Sequence, residues 1–242
     1  DVILLTHAHI DHSGYIPRLI KQGFKGHIYT SAATLDLCEI LLPDSGFLQE
    51  MAAERANKYA YTKHHPALPL YTREEAENAI HRFVACEFAK EYQLGDGVSF
   101  SLHRAGHILG SAFVQLKTPS VTITFSGDLG RPHDELMHPP VKLDSTDYLV
   151  LESTYGNREH GKGSPEQQLA KYINLTAEKG GNILLPSFAV GRAQNLLLYL
   201  YNLKQAKLIP DLPIYVDSPM ATNVTRLLFK HSKEHNLSKQ QC

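Results

Sequence analysis

Apolar residues along this chain come in short blocks separated by polar, glycine-rich stretches. "VILLT" (2–6), "HIYT" (27–30), "VSFSLHR" (98–104), "SAFVQLK" (111–117), "SVTITFSG" (120–127) and "DYLVLES" (147–153) each have the length and composition of a strand. The middle runs partly alternate apolar with polar residues, the mark of half-buried antiparallel strands. "YLVLE" is continuous, as a strand covered on both faces would be. "GDG" (95–97) and "TPS" (118–120) supply turns between neighbouring strands. "HSGYIPRLIKQG" (12–23) predicts a helix following the first strand.

Beyond residue 160 the pattern changes. Ser164-Pro165-Glu166-Gln167 combines an N-cap, a proline at the first helical position and a capping box, and Gly180-Gly181 closes that helix. "NILLPS" (182–187), a helix from about Arg192 to Ala206, "PIYVD" (213–217) and a helix from about Met220 follow. Strand and helix then alternate as in a parallel α/β unit. The seam between the two styles is "GNREHGKGS" (156–164), which places one domain at 1–160 and a second at 161–242.

Composition narrows the class. A chain of 242 residues suits one large domain or two, and 43% hydrophobic with 20% charged residues is ordinary for a globular protein. The formal net charge of −1 announces no polyanion partner, so any phosphate binding must be local. Three cysteines, Cys38, Cys86 and Cys242, form no CxxC pair, which argues against a disulfide framework and a thiolate zinc site. Such usage fits a reducing cytoplasm. No apolar run is long enough to span a membrane, and no signal peptide is evident. The chain opens on Asp1 directly before a strand and closes on "SKQQC", so it reads as a fragment of a longer protein.

The densest chemistry lies in "THAHIDHSG" (6–14), at the C-terminal end of the first strand. His7 and His9, two residues apart, can point the same way in an extended segment, with Asp11 and His12 just beyond. Four ligand-type side chains can then converge on one or two metal ions, and imidazole with carboxylate suits zinc. His107 in "AGHILGS" and Asp128 in "FSGDLG" are further candidates, each in a glycine-containing loop at a strand end. Taken alone, either would read as a turn residue.

H-x-H-x-D-H, a later lone histidine and an aspartate at a strand end together resemble the metallo-β-lactamase superfamily. "ESTYGNREH" (152–160), "PSFAVGRAQ" (186–194) and "DSPMA" (217–221) resemble its β-CASP branch, which cleaves nucleic acids and includes ribonuclease J and the endonuclease of mRNA 3′-end cleavage. "GFKGHIYTSAATLDL" and "AGHILGSA" also match, so the resemblance covers nearly the whole chain. It implies an incomplete αββα sandwich of α/β class, lacking its first strands, plus the start of an inserted parallel α/β β-CASP domain. It also implies a di-zinc hydrolase, most readily a ribonuclease, in which His7, His9 and His107 hold one zinc, Asp11 and His12 the second, and Asp128 bridges both. A last histidine ligand for the second zinc and the general acid belong to a C-terminal part of the family absent here. A hydroxide between two zinc ions about 3.5–4 Å apart would attack phosphorus in line. By the same resemblance, Asp11 orients the nucleophile or takes its proton, and Glu152 supports the site by hydrogen bonding.

Single-stranded RNA is then the substrate, with no membrane association and with a homodimer or an RNA-processing complex as the assembly. The rival readings are a small-molecule thioesterase or lactonase on the same sandwich, a DNA nuclease, and a non-catalytic RNA-binding paralogue. The β-CASP-like stretch speaks against the first, and the complete set of visible ligands against the last.

Other motifs are weaker. "GNREHGKG" (156–163) misses the P-loop hydroxyl, since Gly163 occupies that position and Ser164 comes one residue late. This stretch reads as a solvated loop, or as a hinge that presents Arg158 or His160 to substrate. Arg192, at a strand-to-helix junction, either meets a phosphate or makes a surface ion pair. His64 and His65 read as loop residues, and His27, His81, His103, His133, His138, His231 and His235 as structural or exposed. Cys38 and Cys86 are expected in helices, within the core.

Overall fold

The computed structural model describes residues 1–158, 163–238 and 240–241. The chain divides into two compact units, Asp1–Glu152 and Ser153–Cys242. The expected seam at 160/161 and His160 of the hinge reading lie outside the described residues.

In the first unit, β1 (Val2–Leu4), β2 (His27–Ser31) and β3 (Phe83–Cys86) form a parallel sheet in that order. Its crossovers are helical, because parallel neighbours cannot be joined by a tight turn. Two short helices, α1 (Ile10–Ser13) and α2 (Ile16–Lys21), lead from β1 to β2. The 28-residue α3 (Ala32–Tyr59) and α4 (Arg73–Ala79) lead from β2 to β3. Beside it stands a five-stranded sheet, β4 (Glu91–Gly95), β5 (Val98–Arg104), β6 (Ala112–Lys117), β7 (Thr122–Phe125) and β8 (Tyr148–Val150). Its first four strands run antiparallel to one another in sequence order, and β8 pairs parallel with β7.

The two sheets pack face to face through one apolar cluster. Cys86 comes from the first sheet and Phe100, Leu102, Ala112 and Val114 from the second, with Leu4, Tyr29, Tyr92 and Leu116 packed around them. Phe100 is fully buried between Tyr29 and Tyr92, with ring centroids 5.3 and 5.4 Å away. Burying a ring of this size stabilises a fold by about 1.5–3 kcal/mol. Two sheets in face-to-face contact with helical crossovers give the metallo-β-lactamase-like α/β architecture.

Three expectations need correction. Cys86 is buried, but in strand β3 and not in a helix; the run "FVAC" makes a ladder with β2 that its short sequence does not announce. β8 is not covered on both faces: Tyr148, Leu149 and Val150 are 61%, 50% and 54% exposed, since β8 ends the sheet and has only β7 as a neighbour. "NILLPS" and "PIYVD" form no ladder among the described residues. An apolar run becomes a strand only where another chain segment takes its backbone hydrogen bonds. These two instead flank an open groove of about 700 Å³ that is also lined by Leu196, Leu197 and Leu200.

The helices of the second unit lie as predicted. α5 (Pro165–Glu178) is capped by Ser164 Oγ, which accepts Gln167 N–H at 3.4 Å, and it ends at Gly180 in left-handed backbone. α6 (Arg192–Gln205) and α7 (Pro219–Lys230) follow. Ile173 of α5 packs with Leu200 and Leu203 of α6 and with Ile209. His235 is buried and satisfied, its Nε2 bonded to Leu228 O and its Nδ1 accepting Leu237 N–H, so it is structural. Among the described residues, no helix is long and apolar enough to cross a membrane.

Candidate metal centre

The site forms where loops from both sheets meet at the strand ends. After β1 the backbone stays extended and is clamped on two sides. Leu5 N–H donates to Tyr29 O, and Thr6 O accepts Ala112 N–H from the start of β6. His7 is thereby carried into the interior, where its side chain is wholly buried. Thr6 Oγ1 sits 3.1 Å from His7 Nδ1, which occupies that nitrogen. The other, Nε2, is buried and has no hydrogen-bond partner among the described residues. An orphaned buried polar atom typically costs about 1–3 kcal/mol, and a lone pair aimed into a cluster of ligand groups is what a metal would satisfy.

His9 closes the loop and leads into α1, which carries Asp11 and His12. Ser13 Oγ donates to Ala8 O and His9 O at 2.9 and 3.0 Å, pinning the loop from behind. His107 stands on the β5–β6 loop, where Ser111 Oγ accepts His107 N–H at 2.8 Å and Ile108 N–H at 3.2 Å. Asp128 follows β7. Gly127 there adopts φ +52° against the Thr6 side chain, and Gly130 donates its N–H to Ala105 O. A Cβ on Gly130 would run into the Gly106 carbonyl, so the Asp128 and His107 loops touch backbone to backbone.

These loops bring His7, His9, His107 and Asp128 together, one ligand atom from each lying within 4.8 Å of the others. His107 Nε2 is 3.2 Å from His9 Nδ1. The two oxygens of Asp128 face different groups. Oδ2 lies 3.8 Å from His7 Nε2 and 3.5 Å from His107 Nε2, whereas Oδ1 lies 3.3 Å from His12 Nε2. Asp11, largely exposed, lies with Oδ2 3.4 Å from His12 Nε2. Glu152 accepts Leu129 N–H on Oε1 at 3.2 Å, while its own N–H donates to Ser126 Oγ at 2.9 Å. Its carboxylate thus touches the backbone of the residue after Asp128.

Electrostatics favour neutral imidazoles. Burial, reinforced by the charges of His12, His9 and His107, lowers the His7 pKa to about 2. Burial also lowers His9 and His107; the charge of His107 adds to the effect at His9, whereas Asp128 and Glu152 oppose it at His107. Neutral imidazole is the form that donates a lone pair to a metal.

All six predicted ligand residues and Glu152 lie in the first unit. Arg158 and Arg192 lie in the second, both exposed: Arg158 N–H closes a turn onto Tyr155 O, and Arg192 opens α6. Thr6, Ser13, Ser111 and Ser126, which hold the loops, were not singled out from sequence. Their only mark is a small hydroxyl beside a motif, a feature too common to act on.

A family model described as the Beta-Casp domain matches residues 193–242. Ribonuclease TTHA0252 of Thermus thermophilus is 35% identical over 94% of this chain and 48% of its own length. The RNase J-like protein of Methanocaldococcus jannaschii is 31% identical over 91% of this chain and 48% of its own. Transcription termination factor FttA of Methanothermobacter thermautotrophicus is 30% identical over 90% of this chain and 33% of its own. The chain therefore spans between a third and a half of these curated relatives. Fold, histidine motif and relatives agree, and the chain belongs to the β-CASP branch of the metallo-β-lactamase superfamily.

Proposed function

We propose that this protein is a zinc-dependent ribonuclease of the cytoplasm that hydrolyses phosphodiester bonds of single-stranded RNA. The observation that carries the reading is Asp128, whose two oxygens face two separate sets of ligand groups. His7, His9 and His107 with Asp128 Oδ2 would hold one ion; His12 and Asp11 with Asp128 Oδ1 would hold a second. Imidazole and carboxylate donors without thiolate fit zinc. Zinc bound there supplies positive charge that polarises phosphoryl oxygens and acidifies water at neutral pH.

The chain's own residues do the rest. Thr6 fixes His7 so that Nε2 points inward, and Glu152 braces the Asp128 loop through Leu129. Asp11, at the open side of the cluster, orients the attacking water and accepts its proton. A P–O bond to water oxygen forms as the P–O bond to the leaving nucleotide breaks. Local positive charge at this centre lets a protein of net charge −1 bind a polyanion. Arg158 and Arg192 are proposed to contact the RNA backbone, for which Arg forks suit phosphate. That one relative is named as a ribonuclease, another as an RNase J-like protein and a third as a transcription termination factor supports RNA as the substrate class.

The test is to incubate zinc-loaded protein with end-labelled single-stranded RNA, DNA of the same sequence and an acyl thioester. RNA cleavage that a chelator stops and that Asp128→Ala abolishes is expected. Thioester turnover with RNA left intact would replace this reading with the small-molecule hydrolase.

A further inference from the structure

The two loops that carry histidines rest on one face of one helix. Ser31 caps α3, its Oγ accepting Thr34 N–H at 3.1 Å. The same Ser31 hydroxyl donates to Gly110 O at 2.6 Å, and Thr34 Oγ1 donates to that carbonyl at 2.9 Å. Ser31 and Thr34 are 1% and 0% exposed, so water does not compete for these bonds. The carbonyl of Gly110 accepts two donors, its full capacity. Gly110 has φ +76°, and a Cβ there would strike Thr34 N and both hydroxyls, so only glycine brings this carbonyl so close. Ser111, the next residue, holds His107 and Ile108 through its own hydroxyl. One turn further along α3, Cys38 lies against the Ser13 hydroxyl, which pins Ala8 and His9. Residues 31, 34 and 38 share one helix face, so the start of α3 touches the backs of both loops.

We propose that Thr34 is a positioning residue for the metal centre. It touches no ligand atom, but its hydroxyl fixes Gly110, and through Ser111 it sets where the His107 imidazole stands. Hydrogen-bonded supports behind metal ligands commonly govern affinity by about 10–100-fold. A buried network of this kind holds its geometry only while every member is satisfied. Because the inference rests on the metal reading, its test must separate the two.

Zinc affinity is measured by competition with a chromogenic chelator on metal-stripped wild type, Thr34→Val, Thr34→Ser and Phe100→Leu, with thermal unfolding of each metal-free form. Valine keeps the branched shape and removes only the hydroxyl, leaving the Ser31 cap in place. Thr34→Val should weaken the first zinc about 10-fold or more. Thr34→Ser should keep wild-type affinity, and Phe100→Leu should lower the melting temperature without weakening zinc. Unchanged affinity in Thr34→Val overturns the proposal, as does equal weakening in Phe100→Leu, which would make the effect one of stability alone. If Thr34→Val does not fold, Thr34→Ala carries the same comparison without added bulk. Wild type that binds no zinc refutes the metal reading itself.

Discussion

His7 shows how one residue connects fold to chemistry. It is wholly buried, one nitrogen is occupied by Thr6, and the other has no hydrogen-bond partner among the described residues. Such an arrangement is costly unless something else satisfies it. Asp128 is the other pivot, and Asp128→Ala should lose bound zinc at both positions while keeping a cooperative melt, as elemental analysis and calorimetry would show. Glu152→Gln should retain zinc but lower turnover by about 10–100-fold, because it acts on the Asp128 loop from behind. Loss of both ions in that variant would make Glu152 a ligand. The clustering of His7 and His9 with His107 and Asp128 was legible in sequence because H-x-H-x-D-H after an apolar strand is chemically pointed and His107 and Asp128 stand in glycine-containing loops at strand ends. Thr34, Ser13 and Ser111 were not, because a hydroxyl gains its role only from a carbonyl or N–H brought near by folding: Thr34 and Gly110 are 76 positions apart.

Among the elements, α3 packs against α1, α4, β2 and β3 of the first unit. At Gly46 it crosses the start of α4 so closely that a Cβ would lie 2.7 Å from Thr72 backbone atoms. Tyr71 is buried beside this crossing, its hydroxyl donating to Ser45 Oγ at 2.9 Å. Gly46→Ala should force the helices apart and cost about 1–3 kcal/mol, read as a lowered urea midpoint. α3 also buries Cys38, and burial pushes its thiol up to about 12. A thiol whose folded pKa exceeds its unfolded value stabilises the fold fully while the unfolded chain keeps its proton, below about pH 8.5. That contribution is lost as the pH rises toward the folded value. The urea midpoint should therefore fall between about pH 9 and 12 more steeply in wild type than in Cys38→Ala. Iodoacetamide should leave Cys38 unlabelled in the native protein near neutral pH. β5 was read from sequence residue for residue, because it alternates and follows the "GDG" turn. The length of α3 was not legible. Its first half buries Leu37, Cys38, Leu41 and Leu42, but its second half exposes Phe47, Leu48 and Met51 and Pro43 lies between, so no single apolar stripe runs through it. The edge position of β8 was equally hidden, since burial depends on what covers a strand as well as on its composition.

For the whole molecule, the first unit gathers four groups that could hold a metal where loops from its two sheets meet, and the second is a set of helices with two apolar segments that form no ladder among the described residues. The helices of the second unit were visible in sequence, but that 182–187 and 213–217 form no ladder among the described residues was not, because a ladder needs a partner that no local pattern names. The proposed ligands divide unequally, with four groups at one proposed position and His12, Asp11 and one Asp128 oxygen at the other. Zinc should accordingly bind in two steps of different strength. The most direct measurement is a calorimetric titration of zinc into metal-stripped wild type and His107→Ala. A tight first equivalent and a weaker second are expected in wild type, with the tight step lost in His107→Ala. Absence of saturable binding in wild type, or a tight step that survives in His107→Ala, would contradict it.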